Sequence, residues 1–277
     1  MLGLAGGVWV LAWWINVRLA SRPATPLTRL AIPATFGVTI LVLWEGVVRA
    51  LEVPSVILPP PSAIALSFAR NTDILWIDFV QTFVRGALSG YAMGCGSAIL
   101  IAILVDRSPF LRRGILPLGN FVAALPIVGT APIFVMWFGF GWQSKAAVVV
   151  AMTFFPMLVN MVQGLSSSDA MQRDIMKTYN ASYWQTLVKL KLPVAMPHAL
   201  NGLKICTTLA LIGAIVAEFF GSPIQGMGFR ISTEVGRLAL DLVWAEIVVA
   251  AITGSSFYGL VTLIDNRIAF WHPSRRK

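Results

Sequence analysis

The sequence predicts an all-α integral membrane protein with six membrane spans and an extra N-terminal helix, and three observations predict this class. The 277-residue chain is 57% hydrophobic and only 12% charged, whereas soluble domains carry about 25% charged residues. Its apolar residues fall into runs of the roughly 20 residues that a helix needs to cross a bilayer. Lysine and arginine collect in alternate connections between these runs, as in loops on the cytoplasmic side of a membrane.

Six apolar runs are predicted spans: Ala31–Ala50, Val80–Val105, Ile115–Phe138, Lys145–Gly164, Ala195–Phe220 and Val243–Ile264. A seventh run, Gly3–Val17, is shorter and rich in tryptophan. It lacks a basic start and a small-residue cleavage site, so we expect a retained helix that either spans the membrane or lies at its interface. The predicted domains are therefore an N-terminal helix with a basic linker, 1–30, and one membrane domain, 31–277.

The excess of positive charge predicts which side of the membrane each connection occupies. Fourteen cations lie in one set of connections: Arg18, Arg22, Arg29, Arg107, Arg112, Arg113, Arg173, Lys177, Lys189, Lys191, Arg267, Arg275, Arg276 and Lys277. Five lie in the opposite set: Arg49, Arg70, Lys145, Arg230 and Arg237. The first set is predicted to be cytoplasmic, with the C-terminus inside. The net charge of +9 then reflects topology, and we expect no nucleic-acid partner.

The chemistry-bearing residue types argue against a metal, disulfide or catalytic site. Cys95 and Cys206 fall inside apolar runs and are predicted to be core residues. His198 and His272 have no nearby nucleophile or ligand set, so we expect structural roles for both. No Gly-x-x-x-x-Gly-Lys-Ser/Thr phosphate loop occurs, so any ATP-driven work needs another subunit. We expect no cofactor and no enzymatic activity in this chain.

The connection at about 168–193 is the most polar stretch and has a helical character of its own. Asn180 interrupts it, and Leu192-Pro193 is predicted to stop it, with a second break at Pro197. A solvated loop at the lipid headgroups is one interpretation. Exposed aromatic side chains favour a protein partner instead, because aromatics supply much of the energy of small interfaces. The aromatics concerned are Tyr179, Tyr183 and Trp184.

This connection resembles the cytoplasmic loop signature of ABC importer permeases, Glu-Ala-Ala, three residues, Gly, nine residues, Ile-x-Leu-Pro. Aligned on the final Leu-Pro, the signature positions are Asp174, Ile175, Met176, Asn180, Leu190, Leu192 and Pro193. The two alanine positions depart from the signature. Asn180 in the glycine position is a mild change, since both residues accept the left-handed conformation that a tight turn requires.

Three further segments extend the resemblance over about Ile32–Pro273. They are "ILPPPSAIALSF" (57–68), which resembles the entry to a short helix, "ALPIVGTAPIFVMWFGFG" (124–141), which resembles a proline-rich third span, and "IVAEFFGSPIQGMG" (215–228), which resembles the end of the fifth span and its glycine turn. Together they are similar to permeases of the nitrate, sulfonate, taurine and thiamine-precursor importers. The resemblance implies a six-span type I importer core in the bacterial inner membrane.

The resemblance also implies partners. Two permease copies, or this chain and a paralogue, pair in the lipid membrane; two ABC ATPase subunits carry ATP and magnesium; and a periplasmic or lipid-anchored binding protein delivers a small solute. The connection then acts as a coupling helix in a groove of the ATPase. Its implied docking residues are Asp174, Lys177, Tyr179, Asn180, Ala181, Tyr183, Trp184, Leu192 and Pro193.

Breaks and polar residues inside the spans predict the solute pathway. Pro126 and Pro132 are expected to break the third span, which is tolerated in lipid only where protein or a water-filled cavity satisfies the backbone; a simple kink is the alternative. The predicted pathway residues are Pro126, Thr130, Phe134, Asn160, Thr207 and Glu218. For Glu218 we favour pairing with Arg230 or Arg237 over a gate, and Lys204 is expected to reach the cytoplasmic surface.

Two questions stay open at this level. Gly86, Gly90 and Gly94 share a helix face, which favours close packing within the chain over a subunit interface. The solute is expected to be a thiamine precursor or other pyrimidine-like compound ahead of a sulfonate or nitrate. A secondary active transporter is the alternative function, although the inverted repeats and buried coupling charges typical of that class are missing from the sequence.

Overall fold

A computed structural model describes residues 2–21, 25–123, 125–221, 224–268 and 270. These residues form helices and the turns that join them, with no strand among them, which confirms the all-α class. They group into two compact units, Met1–Leu75 with Thr233–Ile247, and Trp76–Ser232 with Val248–Lys277. Some residues of the sequence predictions lie outside the described residues, namely Arg22, Ala124, His272, Arg275, Arg276 and Lys277.

The helices follow one another in this order: α1 (Leu2–Ala20), α2 (Pro26–Ala50), α3 (Pro61–Arg70), α4 (Thr72–Phe79), a π-helix (Val80–Leu88), α5 (Ser89–Arg107), α6 (Pro109–Ala123), α7 (Ile127–Phe138), α8 (Trp142–Ser166), α9 (Ala170–Thr178), α10 (Tyr183–Thr186), a second π-helix (Leu187–Lys191), α11 (Leu192–Phe220), α12 (Met227–Gly236) and α13 (Leu240–Ile268). The extra N-terminal helix is thus present. The predicted short helix after the first span, α3, is also confirmed.

Five stretches of the described residues are long and apolar enough to cross a membrane: Leu30–Ala50, Thr72–Arg107, Trp142–Ser166, Tyr183–Phe220 and Leu240–Ile268. The predicted third span, Ile115–Phe138, is instead two shorter helices, α6 and α7. Pro126 caps the start of α7 in an extended conformation, because a proline ring excludes the preceding helical turn. Pro132 lies inside α7, where its missing N–H leaves a gap in the hydrogen-bond ladder without ending the helix.

The predicted stop at Leu192-Pro193 is also wrong, because helical structure runs without interruption from Tyr183 to Phe220. A π-helical turn, Leu187–Lys191, precedes α11. Pro193 lacks an N–H and lies at the start of α11, directly after this wider turn, so the continuous helix tolerates one gap in its hydrogen-bond ladder there. Pro197 likewise lies within α11 and does not end it.

The core of the second unit forms where α5, α8 and α11 pack together. Gly90 and Gly94 face α8, and a Cβ on Gly90 would lie 2.5 Å from the Val149 Cβ. Small residues at this spacing let two helix backbones approach closely, so the predicted packing role within the chain is confirmed. Cys95 and Cys206 are free and buried in this core, as predicted.

Candidate functional site

The helices α9 and α10 form a pair that is capped by its own residues. Asp169 and Gln172 make reciprocal bonds at the start of α9, and Ser182 and Gln185 do the same at the start of α10. Each box satisfies backbone N–H groups that a helix start leaves without partners. The pair therefore needs little support from the rest of the chain to stay helical, which suits an element that projects from the spans.

Asn180 supplies the turn between the two helices. Its φ is +49°, in the left-handed region that asparagine tolerates better than most residues. Its N–H donates to the Lys177 carbonyl at 2.8 Å, and the Ala181 N–H donates to the Met176 carbonyl at 3.0 Å. The structure thus confirms that Asn180 takes the conformation expected of the glycine in the loop signature.

The surface of this helix pair is open. Neither α9 nor α10 has a buried residue, and the side chains of Tyr179 and Trp184 are 81% and 58% exposed. Asp174 pairs with Lys177 at 3.0 Å, and both side chains are mostly exposed. An exposed pair of this kind contributes at most about 1 kcal/mol, so these charges can exchange partners at little cost. Two aromatics and two charges are therefore available to another protein.

Tyr183 differs from the other two aromatics, and its predicted exposure is wrong. Its hydroxyl lies 3.1 Å from the Asp106 Oδ2 and 3.2 Å from the Ile103 carbonyl. Asp106 also accepts hydrogen bonds from the Lys191 ammonium at 2.8 and 2.9 Å. Leu192 packs against the same core as Tyr183. Tyr183 and Leu192 thus anchor the helix pair to α5, leaving Tyr179 and Trp184 to face outward.

A cavity of about 370 Å³ lies between α6, α7, α8 and α11. The side chains that line it are Val122, Leu125, Ile127, Thr130, Phe134, Ala151, Met152, Pro156 and Leu209. Two of the predicted pathway residues, Thr130 and Phe134, are among them. Pro126 is exposed and caps α7 between the two helices of the broken span. The break in the third span is thus beside a cavity whose lining carries no charged side chain.

The other predicted pathway residues lie away from this cavity's lining. Asn160 on α8 accepts a hydrogen bond from Asn201 on α11 at 3.2 Å. Thr207 is fully buried, and its hydroxyl donates to the Lys204 carbonyl at 2.7 Å. Lys204 itself pairs with Asp265 at 3.0 Å. The expectation that Lys204 reaches the surface is therefore wrong, because its side chain is only 18% exposed and its ammonium is held by a carboxylate on α13.

Glu218 lies in a buried polar cluster at the end of α11. One of its carboxylate oxygens, Oε2, accepts from the Thr82 hydroxyl at 2.8 Å and from the Gly228 N–H at 2.9 Å. The predicted partner Arg230 binds Asp78 instead, at 2.8 Å, and the other predicted partner, Arg237, binds Glu234. Glu218 therefore fixes the turn before α12 as expected, but through a hydroxyl and a backbone donor rather than an arginine.

Two glycines allow this turn to approach the cluster. Gly226 has a φ of +117°, and a Cβ on it would collide with the Glu218 carboxylate. Its N–H donates to the Asp78 Oδ1 at 2.5 Å. Lys145, fully buried, donates to the Phe140 carbonyl at 2.7 Å and to the Gly221 carbonyl. The two glycines are Gly226 and Gly228. Positions without side chains are required there, because the buried carboxylates of Asp78 and Glu218 each accept a hydrogen bond from one of their N–H groups.

Sequence reasoning missed the most deeply buried members of these clusters. Asp78 and Lys145 are both fully buried, although Lys145 was assigned to the external connections. Asp106 was not singled out at all. The available signal was a charge at the edge of an apolar run, which in a membrane protein usually has a partner inside the protein. The described residues contain no cluster that could hold a metal ion.

Comparison with known proteins places these features in context. Residues 94–270 match the family described as "Binding-protein-dependent transport system inner membrane component". The chain is 31% identical to a protein of Haemophilus influenzae named "Probable ABC transporter permease protein", over 80% of this chain and 89% of the relative. It is 29% identical to the formylaminopyrimidine transport permease protein ThiX of Halalkalibacterium halodurans, over 88% and 96%. It is 28% identical to the riboflavin transport system permease protein RibX of Chloroflexus aurantiacus, over 94% and 97%.

Proposed function

We propose that this chain, which belongs to the family of inner membrane components of binding-protein-dependent transport systems, forms the translocation pathway of an ATP-driven importer. It is an ABC transporter permease and a multi-pass inner membrane protein. Its family implies an ABC ATPase and a solute-binding protein as partners. In our proposal the ATPase holds ATP and magnesium, two permease copies or paralogues pair, and the C-terminus lies in the cytoplasm. The chain itself has no catalytic role.

One observation carries the coupling part of this proposal, namely the capped pair α9 and α10, which has no buried residue. An aromatic pair, Tyr179 and Trp184, seats in the ATPase, and the remaining docking residues shape the turn. Tyr183 transmits the motion, since it joins this pair to α5 through Asp106. Closure of the ATPases then moves the spans as rigid bodies between inward and outward access.

The coupling proposal is tested with Asp174→Arg in the permease–ATPase complex reconstituted in lipid. The substitution places a cation where the resemblance has an acid, so we expect solute-stimulated ATP hydrolysis to fall while membrane insertion stays normal. A matched control is Asp169→Asn, which keeps an N-cap side chain on the same helix. Unchanged coupling in Asp174→Arg would contradict the assignment and would favour a secondary transporter that works without an ATPase.

The pathway part of the proposal concerns the cavity beside the broken third span. Its lining is apolar apart from the Thr130 hydroxyl, which suits a flat, uncharged solute better than a sulfonate or nitrate, because an anion needs cationic or N–H partners. We therefore propose a pyrimidine-like solute, such as a thiamine precursor. The relative named for formylaminopyrimidine transport supports this choice.

Cysteine accessibility tests the pathway. In a background with Cys95→Ala and Cys206→Ala, Thr130→Cys is expected to react with a water-soluble thiol reagent in one nucleotide state. Ala131→Cys is the control, because Ala131 is fully buried on another face of the same helix. Equal reactivity of both positions, or no reaction at Thr130 in any state, would remove α7 from the pathway.

A further inference from the structure

A second cavity, of about 340 Å³, lies at the opposite end of the spans from Glu218. Its lining residues are Asp106, Arg112, Leu165, Ser166, Ser168, Arg173 and Lys191. They come from the last turns of α5 and α8, the first turn of α6, α9, and the turn before α11. Three cations and one carboxylate give this cavity a net charge of +2. Of these residues, the coupling role proposed above uses Asp106 alone, as the partner of Tyr183.

The cations that line this cavity outnumber the carboxylates that could pair with them. The Asp106 carboxylate binds the Lys191 ammonium with both oxygens and accepts from the Tyr183 hydroxyl, so its single negative charge is already paired with Lys191. Arg112 makes no ion pair with any described residue, and its side chain is exposed. Two guanidinium groups and one carboxylate-bound ammonium therefore face a space with no second anion in the described chain.

Arg173 and Ser168 are already oriented for an anionic ligand. The Arg173 Nη1 donates to the Ser168 carbonyl and lies 3.3 Å from the Ser168 hydroxyl oxygen. Among the described residues these contacts use Nη1 alone, so Nε and Nη2 keep their donors. Ser168 is only 4% exposed, and its hydroxyl proton remains to be donated. A fixed guanidinium fork beside a buried hydroxyl is suited to several oxygens on one centre, as in a phosphate group.

We propose that this cavity binds the phosphate group of an anionic phospholipid. The stretches Thr72–Arg107 and Trp142–Ser166 both end at its rim, which puts the cavity at headgroup depth, where such phosphates are always present. Phe110, beside Arg112 on α6, is 83% exposed. An aromatic ring at this level lies among the headgroups and upper acyl chains, so a lipid fits this site better than a free phosphate.

The bound lipid would join α9 to the ends of α5, α6 and α8, because each of these elements contributes a side chain to the cavity. An anionic headgroup would then hold the coupling segment against the spans. This consequence rests on the proposed coupling function, whereas the binding site does not. Binding is therefore measured on the purified permease alone, so that loss of lipid binding and loss of coupling are separate results.

The test is native mass spectrometry of the full chain in detergent with phosphatidylglycerol, compared with phosphatidylcholine. We expect one phosphatidylglycerol to be retained per chain in preference to phosphatidylcholine. Arg112→Gln is expected to weaken this retention by about 10-fold to 150-fold, the range for one charge-assisted hydrogen bond. The matched control is Arg113→Gln, since Arg113 is exposed on the same helix and does not line the cavity.

Three results would overturn the proposal. Equal losses in Arg112→Gln and Arg113→Gln would mean diffuse attraction to the lipid surface. Displacement of the lipid by inorganic phosphate at equal concentration would assign the cavity to a free anion. Loss of ATPase capture in Arg112→Gln, with lipid retention unchanged, would assign the arginine to an acidic side chain of the ATPase.

Discussion

The segment 170–186 and the cluster around Glu218 are both rich in polar side chains, but the chain satisfies them in different ways. In the segment, most polar groups bind neighbours three to five residues away and stay exposed, and Tyr183 is the exception. In the cluster, Asp78, Thr82, Lys145 and Glu218 are each 1% exposed or less. Their partners include residues 136 to 152 positions distant.

The segment is stabilised mainly by contacts between neighbouring residues, whereas the cluster is stabilised by contacts between residues that are distant along the chain. The exposed segment keeps its surface free, so a partner protein can bind it without first breaking internal contacts. The buried cluster has little surface to offer, and its hydrogen bonds tie α4, the following π-helix and α11 to the turn before α12. We therefore expect changes in the segment to alter function and changes in the cluster to alter stability.

The largest effect should follow from Asp78→Leu. It removes the partner of Arg230 and of the Gly226 N–H, and breaking one side of a buried ion pair costs about 3–5 kcal/mol. The midpoint of thermal unfolding in detergent should fall sharply. The double variant Asp78→Leu with Arg230→Met should recover part of the loss, since no unpaired charge remains. A double variant as unstable as the single one would argue against the pair.

Trp184→Ala, in the exposed segment, should produce the next largest effect. Truncation of an aromatic at the centre of an interface costs about 2 kcal/mol or more, which corresponds to about 30-fold in the dissociation constant for the ATPase. The unfolding midpoint should not change, because the ring is exposed. Val188→Ala, also exposed but outside the predicted docking residues, is the control. Similar losses of affinity in both variants would weaken the assignment.

Gly226→Ala should lower stability by about 1–3 kcal/mol, the usual cost of a strained backbone conformation. Its φ of +117° disfavours any side chain, and the methyl group would meet the Glu218 carboxylate. Gly236→Ala is the matched control, since a Cβ there has no neighbour within 4 Å. Thermal unfolding measures both variants, and equal midpoints would show that the turn can move away from Glu218.

Tyr183→Phe should have the smallest effect. It tests whether Tyr183 acts with the exposed segment in binding a partner or with the buried contacts that stabilise the fold. It removes the hydroxyl that contacts Asp106 and Ile103, which should cost about 1 kcal/mol of stability. ATPase affinity should stay at the wild-type value, because the ring itself remains in the core. If affinity falls and stability does not, Tyr183 belongs to the docking surface as the sequence first indicated.

Much of this architecture follows from local sequence. Runs of apolar residues predicted three of the spans within a few residues, but Thr72–Arg107 and Tyr183–Phe220 begin well before their predicted starts, and the third span is two helices. The acid, Asn180 and Leu-Pro spacing predicted the segment that we propose for coupling. Other errors concern proline. Pro193 and Pro197 were expected to end or break helices, but each lies in one. Their effect depends on whether the turn before them can widen or start anew, which sequence spacing does not show.

The sequence by itself determined the helical membrane class, the family, the polar segment 170–186 and the left-handed turn at Asn180. These depend on composition and on contacts within a few residues. Only the tertiary structure decided the polar pairs, Asp78 with Arg230, Glu218 with Thr82, Asp106 with Lys191 and Lys204 with Asp265. The physical reason is that a buried charge binds whichever donor the packed helix ends bring within hydrogen-bond reach, and that donor can lie more than 60 residues away along the chain.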